Sequence, residues 1–173
     1  DMISQLKVNE ELKTKVNREL EQKVSERTTE LVEQKKIVEE KNKDILDSIT
    51  YAKRLQEAIL PSMESWNATL KESFIFYMPK DIVAGDFYFL EQIGDDLFLA
   101  AADSTGHGVP GAMVSVVCSN ALLRAVREMK ITEPGKILDK TTELILETFS
   151  RSNMDVKDGM DISLCRINMS TRT

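Results

Sequence analysis

The sequence predicts an α+β chain, in which a long N-terminal helix precedes a compact part of mixed strands and helices. Three observations predict it. All seven glycines and all four prolines fall at or after position 61, as do nine of the ten aromatic residues, Tyr51 being the exception. Residues 1–60 carry 12 basic and 13 acidic side chains that nearly cancel. Beyond Pro61 the apolar spacing alternates between the period of a strand and that of a helix. The chain therefore divides into a rod, 1–60, and a compact domain, 61–173.

The rod contains no helix breaker and is rich in Glu, Lys, Leu and Val, so it reads as one helix. At ~1.5 Å per residue it would reach roughly 90 Å, too long to be covered by its own domain. Val24, Leu31, Val38, Ile45, Ala52 and Ile59 recur every seven residues as one seam of a coiled coil. The second seam is weaker. Leu20, Ile49 and Leu55 fit it, but Gln34, Lys35, Lys41 and Asn42 occupy its middle. Leu12, Val16, Leu20 and Val24 step by four and drift from the heptad. A parallel homodimer of marginal stability is expected, with a solvated single helix as the alternative.

The compact part is taken in chain order. Ser73–Met78 is a short apolar strand. Asp86–Ile93 and Asp96–Asp103 flank Gly94-Asp95, a two-residue hairpin signal with glycine first, as a type II′ turn prefers. Gly111–Met129 has helical periodicity through Val114, Val117, Ala121, Leu122 and Ala125. Pro134 opens a second helix with Ile137, Thr141, Leu144 and Ile145 inward. Gly159–Asn168 alternates as a last strand. Both faces of the hairpin are mostly apolar, so it should lie between helices and a second layer of sheet.

Charge and composition exclude some classes. Lys+Arg 23 against Asp+Glu 29 gives a net charge of −6, which argues against a nucleic-acid binder working by charge. Cys118 and Cys165 are too few for a disulfide framework and read as buried free thiols in a reducing compartment. No apolar run approaches the ~20 residues of a membrane span, and no signal peptide opens the chain. A cytoplasmic location is expected, or the cytoplasmic part of a larger, membrane-attached sensor. The first residue is Asp1, so a piece of a longer protein is expected.

The hairpin register carries the chemistry. With Gly94 and Asp95 as the loop, Tyr88 faces Ala101, Leu90 faces Leu99, and Asp86 faces Asp103. Opposed carboxylates ~5 Å apart repel. Either one is protonated, or the pair diverges into solvent, or a cation lies between them. The polar, glycine-bearing loop Asp103-Ser104-Thr105-Gly106-His107-Gly108 favours the cation, and hard oxygen donors without cysteines suit Mg²⁺ or Mn²⁺.

Lys80–Tyr88 (KDIVAGDFY) together with Ala102–Ala112 (ADSTGHGVPGA) resembles the signature of the SpoIIE-type serine phosphatases, bacterial relatives of the metal-dependent PPM (PP2C-like) phosphatases. The segment Ala52–Pro61 is similar to the helix leading into such domains after a sensor or coiled coil. The resemblance spans about residues 45–168. It implies a PP2C-like β-sandwich flanked by helices, here incomplete, with two Mn²⁺ or Mg²⁺ ions at one end. Asp86 and Asp103 match metal ligands, and the backbone carbonyl of Ser104 matches a further contact. Metal-activated water would then hydrolyse phosphoserine or phosphothreonine on a partner protein, for which an anti-sigma-factor antagonist is the implied type. Members supply two further aspartates from a later Asp-Gly motif and a final strand, so a C-terminally truncated site is expected. Asp158-Gly159-Met160-Asp161 is not a convincing substitute, and Asp161 is read as structural.

Other residues receive weaker roles. His107 is a proton donor to the leaving oxygen or a loop histidine bonding backbone. Lys80 attracts a substrate phosphate or is a solvated strand-end lysine. Trp66 pins the linker to the domain. Leu55, Gln56, Ile59 and Leu60 form a regulatory element linking the rod to the metal loop. The function expected is a coiled-coil-regulated PPM-type phosphatase of bacterial signal transduction. The alternatives are a catalytically incomplete dimeric scaffold that binds partners and, more distantly, a metal-dependent nucleotide cyclase.

Overall fold

The computed structural model describes residues 2–150 and 158–171. The chain divides into two units, Asp1–Asp47 and Ser48–Thr173. Helix α1 (Met2–Glu57) supplies all the described residues of the first unit and the start of the second. In the first unit every described side chain is exposed, including the seam residue Leu31 at 63%. Local pairs such as Arg27–Glu30 at 2.7 Å and Lys35–Glu39 at 3.7 Å support the helix, each worth a few tenths of a kcal/mol. The contact boundary falls earlier than the compositional one at Pro61 because the last turns of α1 pack in the second unit, where Gln56 is buried.

In the second unit α1 ends in a turn and Pro61, and α2 (Met63–Thr69) follows. Helix α2 is not among the predicted elements. Its signal is Ser62, whose side-chain oxygen accepts from the Ser65 N–H at 3.1 Å as an N-cap. Residues 73–79 form no regular element and pair with no strand among the described residues, so the predicted strand Ser73–Met78 is not part of a sheet.

Strands β1 (Phe87–Ile93), β2 (Asp96–Ser104) and β3 (Met160–Asn168) form one antiparallel sheet in that order. Tyr88 faces Ala101, Leu90 faces Leu99 and Ile93 faces Asp96, the register predicted from a Gly94-Asp95 loop. Gly94 has φ +60°, and the turn carries no second positive φ. That fits a type II′ turn, where only the first loop residue must be left-handed.

One face of the sheet carries Phe87, Phe89, Phe98, Ala100 and Ala102 against α3 (Gly108–Leu123), the π turn Arg124–Glu128 and α4 (Pro134–Ser150). Leu97, Phe98, Cys118, Leu122, Ala125, Val126 and Ile137 are fully enclosed. Each large side chain so buried contributes about 1.5–3 kcal/mol. The stretch Gly108–Glu128 is, by composition, long and apolar enough to cross a membrane, unlike the sequence expectation. Its apolarity is that of a core helix covered on one side by sheet and on another by α4.

The helix widens at its end, with the Met129 N–H donating to the Arg124 carbonyl at 3.0 Å and Arg127 meeting Glu91 at 3.0 Å. Lys130, at φ +54°, then reverses the chain as a left-handed cap.

The predicted second layer of sheet is absent among the described residues. The outer face keeps Ala101 exposed and Leu99 half-buried. Only the aromatic group Trp66, Tyr77 and Tyr88 covers part of it. Trp66 stands edge-on to Tyr88 at 5.9 Å and donates to Ser73 Oγ at 2.8 Å, which pins the linker as expected. Cys118 is buried as predicted, but Cys165 is exposed on β3 because it points away from the helices.

Candidate metal centre

Asp86 and Asp103 come together at the end of the β1–β2 ribbon. Asp86 lies one residue before β1, and Asp103 is the penultimate residue of β2. The carboxyl of Asp86 is held above the ordinary carboxylate range, first by burial and then by the charge of Asp103 and a hydrogen bond between the two side chains. The two carboxyl groups thus lie near enough to repel and line one cleft, and two hard oxygen donors so placed fit a divalent ion.

The loop after Asp103 is built by close backbone approach. A Cβ on Gly85 would stand 2.7 Å from the Ser104 carbonyl oxygen and 2.8 Å from that of Gly106. A Cβ on Gly111 would meet the Gly106 oxygen at 2.5 Å. Only glycine permits these contacts, and Gly106 and Gly108 take φ +92° and +59°. Ser104 is buried, with its hydroxyl 2.7 Å from the Gly85 carbonyl and 3.2 Å from the Gly111 carbonyl. The side chain thus ties the two glycine motifs together, while its own carbonyl oxygen faces Gly85.

His107 is the N-cap residue of α3, and its strongly exposed ring places Nδ1 3.5 Å from Asp81 Oδ2. Asp81 was not singled out from the sequence. Lys80 is exposed in a bend. Leu55 is exposed and Ile59 and Leu60 are half-buried, Leu60 against the core. Gln56 alone of this group is engaged with the loop backbone. Its Nε2 donates to the Ala84 carbonyl and, at 2.9 Å, to Ser115 Oγ, while the Ala84 N–H donates to its Oε1 at 3.1 Å. Ala84 is two residues from Asp86. The other side of that loop is held by the Tyr77 hydroxyl, which donates to the Asp86 carbonyl at 3.1 Å.

Asp161, read from the sequence as structural, lies closer to the acidic pair than that reading implies. It stands directly across β2–β3 from Asp103 and lines the same cleft as Asp86 and Asp103. The signal was present in the alternation of β3, but the pairing of β3 with β2 across two intervening helices could not be read from spacing. Among the described residues no group of three or more His, Cys, Asp or Glu side chains forms a cluster able to hold a metal ion. Asp86 and Asp103 supply hard oxygen donors without a third such side chain close enough to complete a cluster among the described residues.

The second unit is thus an α+β fold, a short antiparallel sheet with helices on one face and two aspartates at its end. The chain is similar to the solved SiaA-PP2C domain of Pseudomonas aeruginosa, with 33% sequence identity and a TM-score of 0.66 over 74% of this chain and 50% of that one. It carries part of a PP2C-like phosphatase domain, and it spans about half the length of that neighbour. No family model and no curated protein matches it. PP2C-like phosphatases are generally metal-dependent, in keeping with the donor set at Asp86 and Asp103.

Proposed function

We propose that the chain belongs to a SpoIIE-type, metal-dependent Ser/Thr protein phosphatase that acts on a phosphoprotein of a bacterial signalling pathway. The observation that carries this reading is the contact of Asp86 with Asp103 beside the glycine loop, in a fold similar to a PP2C domain. Asp86, Asp103 and the Ser104 carbonyl would hold Mn²⁺ or Mg²⁺, two ions in the complete centre. When bound, they supply activated water and positive charge for the phosphoryl oxygens. The chain's own residues order the site. Ser104 and the glycines fix the loop, Gln56 and Tyr77 hold the backbone flanking Asp86, and His107, steadied by Asp81, faces solvent where a leaving serine oxygen can take a proton. Lys80, at the start of the motif, is the proposed phosphate attractor.

Regulation runs through Gln56 in this proposal. A turn of α1 that moved its side chain would release the Ala84 backbone and with it the approach to Asp86. Leu55, Ile59 and Leu60 are the neighbours that would follow. The exposed seam of α1 supports a parallel homodimer, and a cytoplasmic setting and a small signalling protein such as an anti-sigma-factor antagonist as substrate complete the proposal.

Manganese-dependent release of phosphate from a phosphoserine peptide, lost in Asp103→Asn, is the expected result. The absence of a three-ligand cluster among the described residues favours a second reading, a partner-binding scaffold. Manganese binding that depends on Asp86 and Asp103 but brings no hydrolysis would select it. Light scattering on the chain and on Val38→Asp tests the dimer, with a monomer expected only for the variant.

A further inference from the structure

The backbone and the hydroxyl of Thr105 both close on one residue, Gly159, just before β3. The Thr105 N–H donates to the Gly159 carbonyl at 2.9 Å, and the hydroxyl donates to the same carbonyl at 3.2 Å. The Gly159 N–H donates in return to Thr105 Oγ1 at 3.1 Å. The last pair of the β2–β3 ladder is Ser104 with Met160. One residue further on, an antiparallel hydrogen-bonded pair would exchange backbone bonds both ways. Here the hydroxyl stands in for the Thr105 carbonyl. The chain can therefore leave the sheet at this residue for the glycine loop while its N–H stays anchored.

That anchor aims an oxygen. In a trans peptide the N–H and the preceding carbonyl point in opposite directions. With the Thr105 N–H held on Gly159, the Ser104 carbonyl is turned the other way, toward Gly85, the residue before Asp86. The Ser104 hydroxyl is engaged with the carbonyls of Gly85 and Gly111, so it fixes the side chain and not this peptide. We propose that Thr105 is a positioning residue of the metal centre, holding the 104–105 peptide so that the Ser104 carbonyl oxygen is presented with Asp86 and Asp103 to a divalent cation. The inference rests on the reading of those three groups as the metal site. Thr105 acts through Ser104 and is not itself a ligand. It is exposed and Gly159 half-buried, so water competes for each bond. The tie therefore adds little to global stability, and its effect falls on orientation.

Thr105→Val keeps the shape and removes the hydroxyl, whereas Thr105→Ser keeps the hydroxyl. In the metal-free chain the Gly159 amide should exchange faster in the valine variant and at the parent rate in the serine variant, while the denaturant midpoint barely moves. Manganese affinity, read from the EPR signal of the free ion, should fall about tenfold in Thr105→Val and return in Thr105→Ser, the size of effect common for groups that orient a ligand. Thr141→Val removes a buried hydroxyl that donates to the Ile137 carbonyl at 2.7 Å within α4. It should lower the midpoint without weakening manganese binding, which separates positioning from stability. Asp103→Asn separates this inference from the reading beneath it. If the parent chain takes up manganese and Asp103→Asn abolishes the uptake, then parent-like affinity in Thr105→Val, no recovery in Thr105→Ser, or an unchanged Gly159 amide would overturn the positioning role alone. Uptake that is absent, or indifferent to Asp103→Asn, would overturn the metal reading and this inference with it.

Discussion

Gln56→Ala is the perturbation with the clearest worked cost. The side chain is 4% exposed and makes three hydrogen bonds, two of them with the N–H and carbonyl of Ala84, itself buried. Truncation leaves both backbone groups without a partner. Each buried unsatisfied group costs about 1–3 kcal/mol, and partial entry of water recovers some of it, so a total loss of about 2–4 kcal/mol is expected. Trp66 is the sole tryptophan and packs in the compact unit, so denaturant unfolding followed by its fluorescence reads that unit directly. Gln56→Leu keeps most of the volume but none of the hydrogen bonds and should lose nearly as much, whereas Gln34→Ala, on the exposed rod, should lose almost nothing. The Ala84 amide should exchange faster in both Gln56 variants. A loss below about 1 kcal/mol in Gln56→Ala, or full rescue by leucine, would show that the clamp rests on space filling and not on hydrogen bonds.

Three further outcomes are expected. Because Asp86 binds its proton more tightly folded than unfolded, the stability this proton confers is complete below the unfolded carboxylate value near ~3.9 and is lost as pH rises through the folded value. Asp86→Asn should therefore flatten that decline and, at neutral pH without metal, leave the chain more stable by about 0.5 kcal/mol, while manganese should raise the melting temperature of the parent chain only. Gly111→Ala sets a Cβ against the Gly106 backbone and should cost about 3 kcal/mol or prevent folding, as read by the same fluorescence assay. Burial, and then the charge of Asp158, push the Cys118 thiol up to about 11. Iodoacetamide at pH 8 should therefore label Cys165 alone until the chain is unfolded, as mass spectrometry would show.

Local signals were legible where a single stretch of chain contained them. The Gly94-Asp95 turn set the β1–β2 register to the residue, and with it the meeting of Asp86 and Asp103. The long helix followed from the missing breakers, and α4 from its apolar period after Pro134. What failed depended on partners distant in sequence. Ser73–Met78 has the composition of a strand, but a strand needs a neighbour to bond, and none is found among the described residues. Asp161 became part of the acidic end only through β2–β3 pairing. Gln56 was legible as a member of the regulatory element that ends the rod, but its bonds to Ala84 and Ser115 join three segments that no periodicity connects. The π turn at Arg124–Glu128 left no mark in the apolar pattern, which continues through it.

The tight turn at Gly94 bears on kinetics. β1 and β2 are joined by two residues, whereas β3 reaches β2 only after α3 and α4 have been made. Loop closure is least costly for the hairpin, so it can assemble early, and the third strand must wait for the helices to condense on the aromatic face. Replacing Gly94 with valine should mainly retard refolding, whereas Ile162→Val in β3 should mainly accelerate unfolding. Stopped-flow chevrons in which both changes act on the same arm would contradict that order of events.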